Sequence, residues 1–520
     1  MEGVKGCPMT ESRSILLIHP PVAKPCEPPA GVARLAGTLR AAGVDCRIHD
    51  ASLAGILGLL ERDGDAEDTW SRRALKHRAA HLAAMRRPDL YRSPDRYKRA
   101  VMDLNRILHL AGASSGYQLS FSNCAAERLS PLRSRDLVQA AEDFAANPFF
   151  PIFSKELAAL FDEKAPDLVG LSINFMSQAL CAFAMIGWIR SRLPRVKIVC
   201  GGGLVTSWMN IPGFQNPFQG LVDELVAGPG EEVLLAMCGG GTPGAQSDAG
   251  YDFASFAWDD YLAPGRVLPY STSRGCYWRK CAFCPEKAEK ETYRPMAPAA
   301  VEADLKVLRA SSSPRLIHFL DNALSPRLMA HLIANPPGTP WYGFVRITPQ
   351  LADPEFAAGL KAAGCVMLKL GVESGDQAVL DALAKGVDLA TVSAALTTLK
   401  RAGIATYVYL LFGTPAETAD RARRTLAFTL EHADAIDFLN LAIFNLPATS
   451  EEAAALRTEP FYEGDLSLYR EFVHPEGWHR DAVRRFLSRE FKKPAPIRAI
   501  LNNDPPYFTS NHAAFFRMGI

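Results

Sequence analysis

The feature that most constrains the fold is an alternation of short apolar runs with helical stretches in the second half of the chain. Strands that alternate with helices predict parallel βα units. Eight such units need about 250 residues, so the six found here predict an incomplete (βα)6 barrel of TIM type. The predicted strands are residues 268–273, 316–320, 342–346, 366–370, 404–411 and 436–444. The predicted helices between them include residues 300–310, 354–363, 389–402 and 418–432.

The N-terminal half shows the same alternation with one long interruption. Apolar runs end in small or helix-breaking residues, which predicts a Rossmann-like, doubly wound parallel sheet with ligands at the carboxyl ends of its strands. The Gly-x-Gly-x-x-Gly fingerprint is absent after the first strand, which argues against a nicotinamide cofactor. Residues from about 55 to 160 carry few strand signals and predict a helical insertion. The predicted strands are residues 15–18, 44–48, 167–174, 196–200 and 220–226.

The length and composition divide the chain further. A chain of 520 residues exceeds one hydrophobic core and predicts about three domains. A Gly-rich stretch beginning at residue 239 is typical of a linker. We therefore expect an N-terminal domain over residues 1–240, a linker over 241–255, a barrel over 256–447 and an α-rich C-terminal extension over 448–520. The extension is rich in aromatic residues, which either close the open side of the barrel or pack as an ordinary surface layer.

Charge and hydropathy exclude several classes of partner. The 57 Lys and Arg residues balance 56 Asp and Glu residues, so no field favours nucleic acid or an anionic membrane. The N-terminus has no apolar run of signal-peptide type, and a cytoplasmic location is expected. Residues 169–189 lack charge and nominally could cross a bilayer. Polar residues cluster in the first half of this run, which favours a buried strand followed by a packed helix.

A cluster of cysteines carries the clearest chemical signal. Cys276, Cys281 and Cys284 fall within nine residues, directly after a predicted strand. Thiolates are soft ligands that suit zinc, copper(I) or iron–sulfur clusters. The next cysteine, Cys365, lies far along the chain, so three ligands leave one coordination position open, as a catalytic metal requires. The alternatives are a zinc site completed by a distant Cys or His, and three unrelated core cysteines.

Basic residues flank these cysteines. Arg274, Arg279 and Lys280 are expected to lower the thiolate pKa values and to offset the negative charge of a cluster.

This loop resembles the cysteine loop of the radical S-adenosylmethionine (SAM) superfamily. In that family three cysteines after the first strand of a partial barrel hold a [4Fe-4S] cluster, and SAM chelates the fourth iron. The usual spacing is C-x3-C-x2-C, whereas this chain has C-x4-C-x2-C, with one extra residue between Cys276 and Cys281. The resemblance implies that these three cysteines are the metal ligands.

Further segments resemble the same family, in the same order along the chain. Residues 370–375 resemble the G-x-E-S-G stretch after the fourth barrel strand, residues 412–418 the G-x-P-x-E-T turn, and residues 318–322 the acidic pair that closes the second strand. Taken singly, each could equally be a helix cap or a solvated strand end. The resemblance implies that five residues contribute to the SAM site: Phe283, Asp321, Arg346, Glu373 and Ser374. It also implies that Glu373 is catalytic.

The N-terminal half resembles the cobalamin-binding domain that often precedes this barrel. The similarity covers residues 1–55 and 165–238. The D-x-H-x-x-G motif that supplies a cobalt ligand in other cobalamin enzymes is absent, and an empty, degenerate domain is the alternative. Cobalamin contacts are expected from His19, Pro20, Ser172, Asn174, Gly202, Gly203, Gly228, Gly230 and Glu231.

Together these resemblances imply a cobalamin-dependent radical SAM enzyme that methylates an unactivated carbon of a small molecule or peptide. An electron donor such as flavodoxin or ferredoxin would be its partner. A cobalamin-assisted rearrangement, cyclisation or oxidation is the enzymatic alternative. A noncatalytic zinc- or corrinoid-binding protein is the alternative from another class.

Overall fold

The N-terminal domain is a doubly wound sheet of five parallel strands. The computed structural model describes residues 13–62, 66–239, 250–282, 284–461 and 463–518. The strand order is β2-β1-β3-β4-β5, and all pairings are parallel. The strands are β1 (Ile15–Ile18), β2 (Cys46–His49), β3 (Leu168–Ser172), β4 (Lys197–Gly201) and β5 (Glu224–Leu225). The helices that cover the two faces are Ala30–Ala41, Ala51–Glu61, Met176–Arg192, Gly203–Met209 and Glu231–Met237.

The interruption between β2 and β3 is mostly helical, as predicted, but it also contains a β-hairpin. Its helices are Thr69–Met85, Pro94–Ala113, Ser134–Glu142 and Phe150–Glu163. The hairpin strands, Tyr117–Ser120 and Asn123–Ala126, were not predicted because the sequence there is polar and short. The predicted strand over residues 220–226 is reduced to β5, because Gly220, with a φ of +84°, lies inside a turn that the Phe218 carbonyl closes.

The uncharged run over residues 169–189 is explained by packing on two sides. Its first part is β3, and the rest is the helix Met176–Arg192, which lies between the sheet and the insertion. A Cβ atom added at Gly187 would lie 1.8 Å from the Ala141 carbonyl oxygen. This glycine therefore lets the helix Met176–Arg192 approach the helix Ser134–Glu142 of the insertion closely. No helix among the described residues is long and apolar enough to span a membrane.

The second half forms an open six-stranded parallel barrel. The strand order follows the chain, and within the described residues the two edge strands do not pair with each other. The strands are β6 (Val267–Tyr270), β7 (Leu316–Leu324), β8 (Trp341–Val345), β9 (Cys365–Glu373), β10 (Ala405–Phe412) and β11 (Phe438–Ile443). The helices are Pro285–Ala288, Pro298–Ser312, Pro326–Ala334, Pro354–Ala362, Gln377–Ala382, Leu389–Ala402 and Ala419–Glu431. The prediction of an incomplete parallel barrel is confirmed.

The C-terminal extension combines short helices with a small antiparallel sheet. The helices are Glu451–Ala455, Arg480–Phe486, Ala495–Leu501 and Thr509–Ala513, with a π-helical turn at Leu487–Phe491. The sheet, formed by Leu446–Pro447, Thr458–Pro460 and Tyr469–Phe472, was not predicted. Residues 240–249, which include most of the predicted linker, lie outside the described residues. The chain that follows them is packed, since the Tyr251 and Phe253 rings stack at 5.7 Å between centroids.

The end of the extension fills the concave side of the barrel. Phe508 and Phe515 are buried in one hydrophobic cluster with inward-facing residues of the strands, among them Tyr407 and Phe438. Phe508 also stacks on His512, with 4.1 Å between ring centroids. Phe508 and Phe515 therefore belong to a buried core rather than to a surface layer.

A buried polar chain crosses the same concave side. Lys369 Nζ donates to His318 Nε2 at 3.0 Å, and His318 Nδ1 donates to Glu27, which lies 2.9 Å away in the loop after β1. Lys24 in that loop donates to Thr509 and Asn511 of the C-terminal extension, at 3.0 and 3.2 Å. Burial lowers the pKa of Lys369 to about 8. The N-terminal domain, the barrel and the extension therefore meet in one network.

Candidate active site

The three loop cysteines differ from every other described cysteine in their exposure. Cys276, Cys281 and Cys284 are half-buried, whereas the other seven described cysteines, including Cys365, are buried. Free thiols that are packed into a core are inert, while partly exposed ones are available as ligands. Cys365 lies fully buried in β9 and offers no fourth ligand to the loop.

Burial is the main influence on the pKa values of the Cys281 and Cys284 thiols. Burial raises the pKa of Cys281 to about 11, and it raises the pKa of Cys284 as well. The main opposing charge at Cys281 is Lys385, which comes from a distant turn. The prediction that Arg274, Arg279 and Lys280 lower the thiol pKa values is wrong for Cys281 and Cys284, because burial raises both. Arg274 pairs with Glu231, and Lys280 lies over the Trp278 ring.

The described cysteines do not form a site for a single metal ion. Among the residues that the structure describes, no group of three or more His, Cys, Asp or Glu side chains could hold one metal ion. In an iron–sulfur cubane each cysteine binds a different iron, so the sulfurs need not converge on one point. The charges of Cys281 and Cys284 still influence one another, which places the two sulfurs near each other.

Asp321 anchors the beginning of the cysteine loop. This buried carboxylate on β7 accepts hydrogen bonds from the Thr272 amide at 3.0 Å, the Thr272 hydroxyl at 2.8 Å and the Ser273 hydroxyl at 2.5 Å. Burial raises the pKa of Asp321, and these donors oppose that shift. Residues 273–274 then pair with Arg294–Pro295, and Gly275 turns with a φ of +67°. Asp321 thus fixes the entry to the loop and also lines the neighbouring cavity.

Glu373 ends β9 in a left-handed conformation, with a φ of +68°. Its Oε1 atom accepts from Lys385 Nζ at 2.8 Å, and the two side chains are only about a tenth exposed. A non-glycine residue at positive φ costs of order 1–3 kcal/mol, and such residues cluster at functional sites. Sequence reasoning gave Glu373 a role but assigned none to Lys385, which follows the same motif along the chain.

Arg346 is held by backbone carbonyls and by an aromatic ring. Its Nη2 atom donates to the Gly386 carbonyl at 2.8 Å and to the Lys385 carbonyl, and its guanidinium lies 3.6 Å from the centroid of the Trp278 ring. Trp278, which lies between the first two loop cysteines, was not predicted to have a role. The one sequence signal for it is its place inside the loop.

Ser374 does not point at the loop. Its hydroxyl is fully buried, lies 3.1 Å from the Thr425 hydroxyl and accepts from the Asp376 amide at 3.1 Å. The structure therefore places Ser374 as an anchor between β9 and the helix Ala419–Glu431. Phe283, the remaining predicted residue of the loop, lies outside the described residues.

The turn after β10 closes on a buried carboxylate. Glu417 Oε2 accepts from the Gly413 amide at 2.5 Å and from Trp478 Nε1 at 2.8 Å, while Glu417 Oε1 is buried without a hydrogen-bond partner among the described residues. Burial raises the pKa of Glu417 to about 7. The G-x-P-x-E-T turn thus joins the barrel to the C-terminal extension.

A cavity of about 430 Å³ lies where the two sheets face each other. One wall is the carboxyl edge of the N-terminal sheet, and the other is formed by the ends of β6 and β7 with the start of the cysteine loop. The ion pair from Arg274 to Glu231 joins the two walls, and Arg34 pairs with the same carboxylate from within the N-terminal domain. The predicted cobalamin contacts that line this cavity are Ser172, Asn174, Gly202, Gly203, Gly228, Gly230 and Glu231.

The glycine edge of the cavity is a backbone feature. Gly202 has a φ of +104°, and a Cβ atom there would lie 2.6 Å from the Ile173 carbonyl oxygen. Gly228 has a φ of +68°, and a Cβ atom added there would have no described atom within 4 Å. Asn174 Oδ1 accepts from the Gly203 amide at 3.0 Å and holds this edge in place. A bulky ligand could approach such a backbone closely.

Two predicted contacts do not line this cavity. His19 is buried beside Gln178, whose Nε2 atom donates to the Pro20 carbonyl at 2.7 Å and lies 3.5 Å from His19 Nδ1. Burial lowers the pKa of His19. The structure therefore uses His19 and Pro20 to join β1 to the helix Met176–Arg192. Sequence reasoning also missed three acidic residues of the cavity wall, Glu286, Glu289 and Glu291.

Comparisons with known proteins agree with this architecture. Residues 270–429 match the family model of the Radical SAM superfamily. The chain is similar to the cobalamin-dependent S-adenosylmethionine radical enzyme OxsB with aqua-cobalamin and S-adenosylmethionine bound, with a TM-score of 0.51 and 14% identity over 82% of this chain and 53% of that chain. It thus spans about half the length of the OxsB chain.

The chain is also similar to two structures of the radical S-adenosylmethionine methyltransferase TsrM from Kitasatospora setae. The structure with tryptophan substrate and a SAM analog gives a TM-score of 0.55 and 16% identity over 94% of this chain and 89% of that chain. The structure with cobalamin and a [4Fe-4S] cluster gives a TM-score of 0.50 and 17% identity over 90% and 85%. No curated protein matches the sequence. At these identities the similarity establishes the shared fold.

Proposed function

Because residues 270–429 form a radical SAM domain, we propose that the protein is a cobalamin-dependent radical SAM enzyme that methylates an unactivated carbon of a small molecule or peptide. The observation that carries this proposal is one juxtaposition. The start of a loop with three half-exposed cysteines and the glycine edge of the N-terminal sheet line the same cavity. The OxsB and TsrM structures, which combine cobalamin with SAM or a cluster, support the same combination of cofactors.

The residues of the barrel fit a [4Fe-4S] cluster with bound SAM. Such a cluster supplies the electron that cleaves SAM to a 5′-deoxyadenosyl radical, and cobalamin supplies a carrier for the methyl group. Cys276, Cys281 and Cys284 would hold the cluster. Asp321 orients the loop that carries them, and Glu373, oriented by its ion pair with Lys385, would accept hydrogen bonds from SAM.

The residues of the N-terminal sheet fit a large planar cofactor. Gly202, Gly203 and Gly228 expose backbone at the cavity, and Ser172 and Asn174 offer polar groups beside it. His19 is too deeply buried to serve as a ligand for the cofactor's metal without rearrangement. We therefore expect the cofactor to bind with its lower face unligated by His19.

Anaerobic reconstitution tests the cluster and the radical chemistry. The wild-type protein should take up about four irons per chain and, with a flavodoxin- or ferredoxin-type electron donor, convert SAM to methionine and 5′-deoxyadenosine. A Cys281→Ala variant should lose SAM cleavage but keep corrinoid binding, while the matched control Cys365→Ala should keep both. A wild-type protein that holds one zinc and no iron would refute the proposal.

Transfer of the methyl group needs a separate measurement. With SAM labelled in its methyl group and candidate substrates, a methyltransferase should place the label on product carbon. A product that forms with 5′-deoxyadenosine but carries no label would instead establish a rearrangement, cyclisation or oxidation.

A further inference from the structure

The middle of the cysteine loop makes no backbone hydrogen bond to any residue that the structure describes. Among the described residues, no backbone–backbone hydrogen bond involves residues 276–280. The support begins only at Ala282, whose amide donates to the Leu383 carbonyl at 3.0 Å. Within the described part of the chain, the contacts that hold the stretch between Cys276 and Cys281 come from side chains, and Trp278 makes the main ones.

The side chain of Trp278 provides that attachment. Its Nε1 atom donates to the Ala384 carbonyl at 3.0 Å, and the Arg346 guanidinium covers one face of its ring at 3.6 Å from the centroid. A guanidinium over an indole ring is the most favourable kind of cation–π contact. Arg346 is itself fixed by the carbonyls of Lys385 and Gly386.

The turn that receives Trp278 is shaped for it. Gly386 has a φ of +64°, and a Cβ atom there would lie 2.3 Å from Trp278 Cζ2 and 3.0 Å from Arg346 Nη2. Any side chain at this position would displace the indole ring. The absence of a side chain at Gly386 is thus required by the docking of Trp278 as well as by the turn.

The same turn also holds Glu373 through an ion pair. Lys385, which precedes Gly386, pairs with Glu373 at 2.8 Å. Residues 383–386 therefore contact the cysteine loop on one side and the end of β9 on the other. Movement of this turn would shift Cys281 and Glu373 relative to each other.

From this geometry we propose that Trp278, Arg346 and Gly386 form a clamp that fixes the cysteine loop against residues 383–386. The clamp sets the position of the cluster ligands relative to Glu373. Trp278 is thus a positioning residue, and Arg346 acts through the indole and the turn. This inference rests on the proposed function for its consequence at the cluster, but not for the restraint on the loop.

Hydrogen exchange tests the restraint without any cofactor. In the apo protein, Trp278→Ala and Gly386→Ala should each speed exchange of the Ala282 amide, which donates to the Leu383 carbonyl of the same turn, by about tenfold, the factor expected for the loss of a hydrogen bond and a stacking contact. Exchange in peptides of the N-terminal sheet should not change, which shows that the variants fold. Unchanged exchange of the Ala282 amide in both variants would overturn the proposal.

Reconstitution tests the consequence at the cluster. Trp278→Phe should keep most of the iron but broaden the electron paramagnetic resonance signal of the reduced cluster. Arg346→Lys should act similarly, since lysine keeps the charge but cannot stack as a plane. The matched control is Trp70→Phe, which also removes an indole hydrogen bond, from Trp70 Nε1 to Asp103, far from the loop.

The two proposals fail in different ways. A wild-type protein that takes up no iron, with loop exchange still accelerated by Trp278→Ala, would refute the proposed function and retain the clamp. A wild-type cluster whose iron content and signal are the same in Trp278→Phe, Trp278→Ala and Arg346→Lys would refute the effect of the clamp on the cluster.

Discussion

Replacing Glu417 with Gln should stabilise the protein at alkaline pH. Both hydrogen bonds to this buried carboxylate reach one oxygen, Oε2, so a glutamine carbonyl can accept them from Gly413 and Trp478. Burial raises the pKa of Glu417 from 4.5 to about 7. The folded protein therefore binds the proton more tightly than the unfolded chain, and its stability falls as pH rises between those two values.

The size of the effect follows from the pKa difference. Each unit corresponds to about 1.4 kcal/mol, so ionising the buried group costs about 3 kcal/mol at pH 8 and almost nothing at pH 4. The unfolding free energy of Glu417→Gln, relative to that of the wild type, should thus increase by about 3 kcal/mol between pH 4 and pH 8. Denaturant unfolding at several pH values measures this difference in unfolding free energy. Tryptophan fluorescence, to which Trp478 contributes, follows the transition.

The control for this experiment is Asp420→Asn, which changes a mostly exposed carboxylate at the start of the adjacent helix. Its effect should be small at every pH, since exposed ion pairs contribute little. A constant difference between Glu417→Gln and the wild type from pH 4 to pH 8 would show that burial does not raise the pKa of Glu417, and the reasoning would fail.

Three further predictions concern the concave side of the barrel and the cavity. The unfolding free energy of the wild type should rise by about 2 kcal/mol between pH 7.5 and pH 10, because the folded protein releases the Lys369 proton at about pH 8 and the unfolded chain only near 10.5. Lys369→Met should remove this rise, and parallel pH curves for the two proteins would contradict the prediction. Phe508→Ala should lower the unfolding free energy by about 3–5 kcal/mol, whereas Val473→Ala, which changes a half-exposed side chain, should lower it far less. A loss below about 1 kcal/mol for Phe508→Ala in urea titration would refute the packing argument. Gly202→Ala should weaken corrinoid binding and lower stability more than Gly213→Ala. Gly213 also has a positive φ, but an added methyl group there meets open space. Equal corrinoid affinities of the two variants would contradict a role for the glycine edge in binding.

The sequence was most informative where burial is continuous. β1 and the helix Leu389–Ala402 begin and end at the predicted residues, because uninterrupted apolar runs and clear helical periodicity mark elements packed on a core. The hairpin in the insertion was missed because its short strands are polar and their pairing depends on the surrounding helices. Strand existence could therefore be predicted in the two main sheets but not in the small ones.

The candidate site was predictable in composition but not in contacts. The spacing of Cys276, Cys281 and Cys284 identified the loop, since ligands close in sequence need no knowledge of the fold. The docking of Trp278 could not be predicted, because Ala384 and Arg346 are distant from it in the sequence and meet it only in the folded barrel. The directions of the Ser374 hydroxyl and the His19 ring were likewise unpredictable, because neighbouring helices decide them.

The packing of the C-terminal segment against the inside of the barrel has a consequence for biosynthesis. Phe508, His512 and Phe515 are made after all six barrel strands have left the ribosome. Until then the strands present an apolar inner wall to water, and Lys24 lacks its partners in the C-terminal segment. The nascent chain thus passes through a stage in which its middle is largely formed and still prone to aggregate, and chaperone assistance at that stage would raise the yield of native protein.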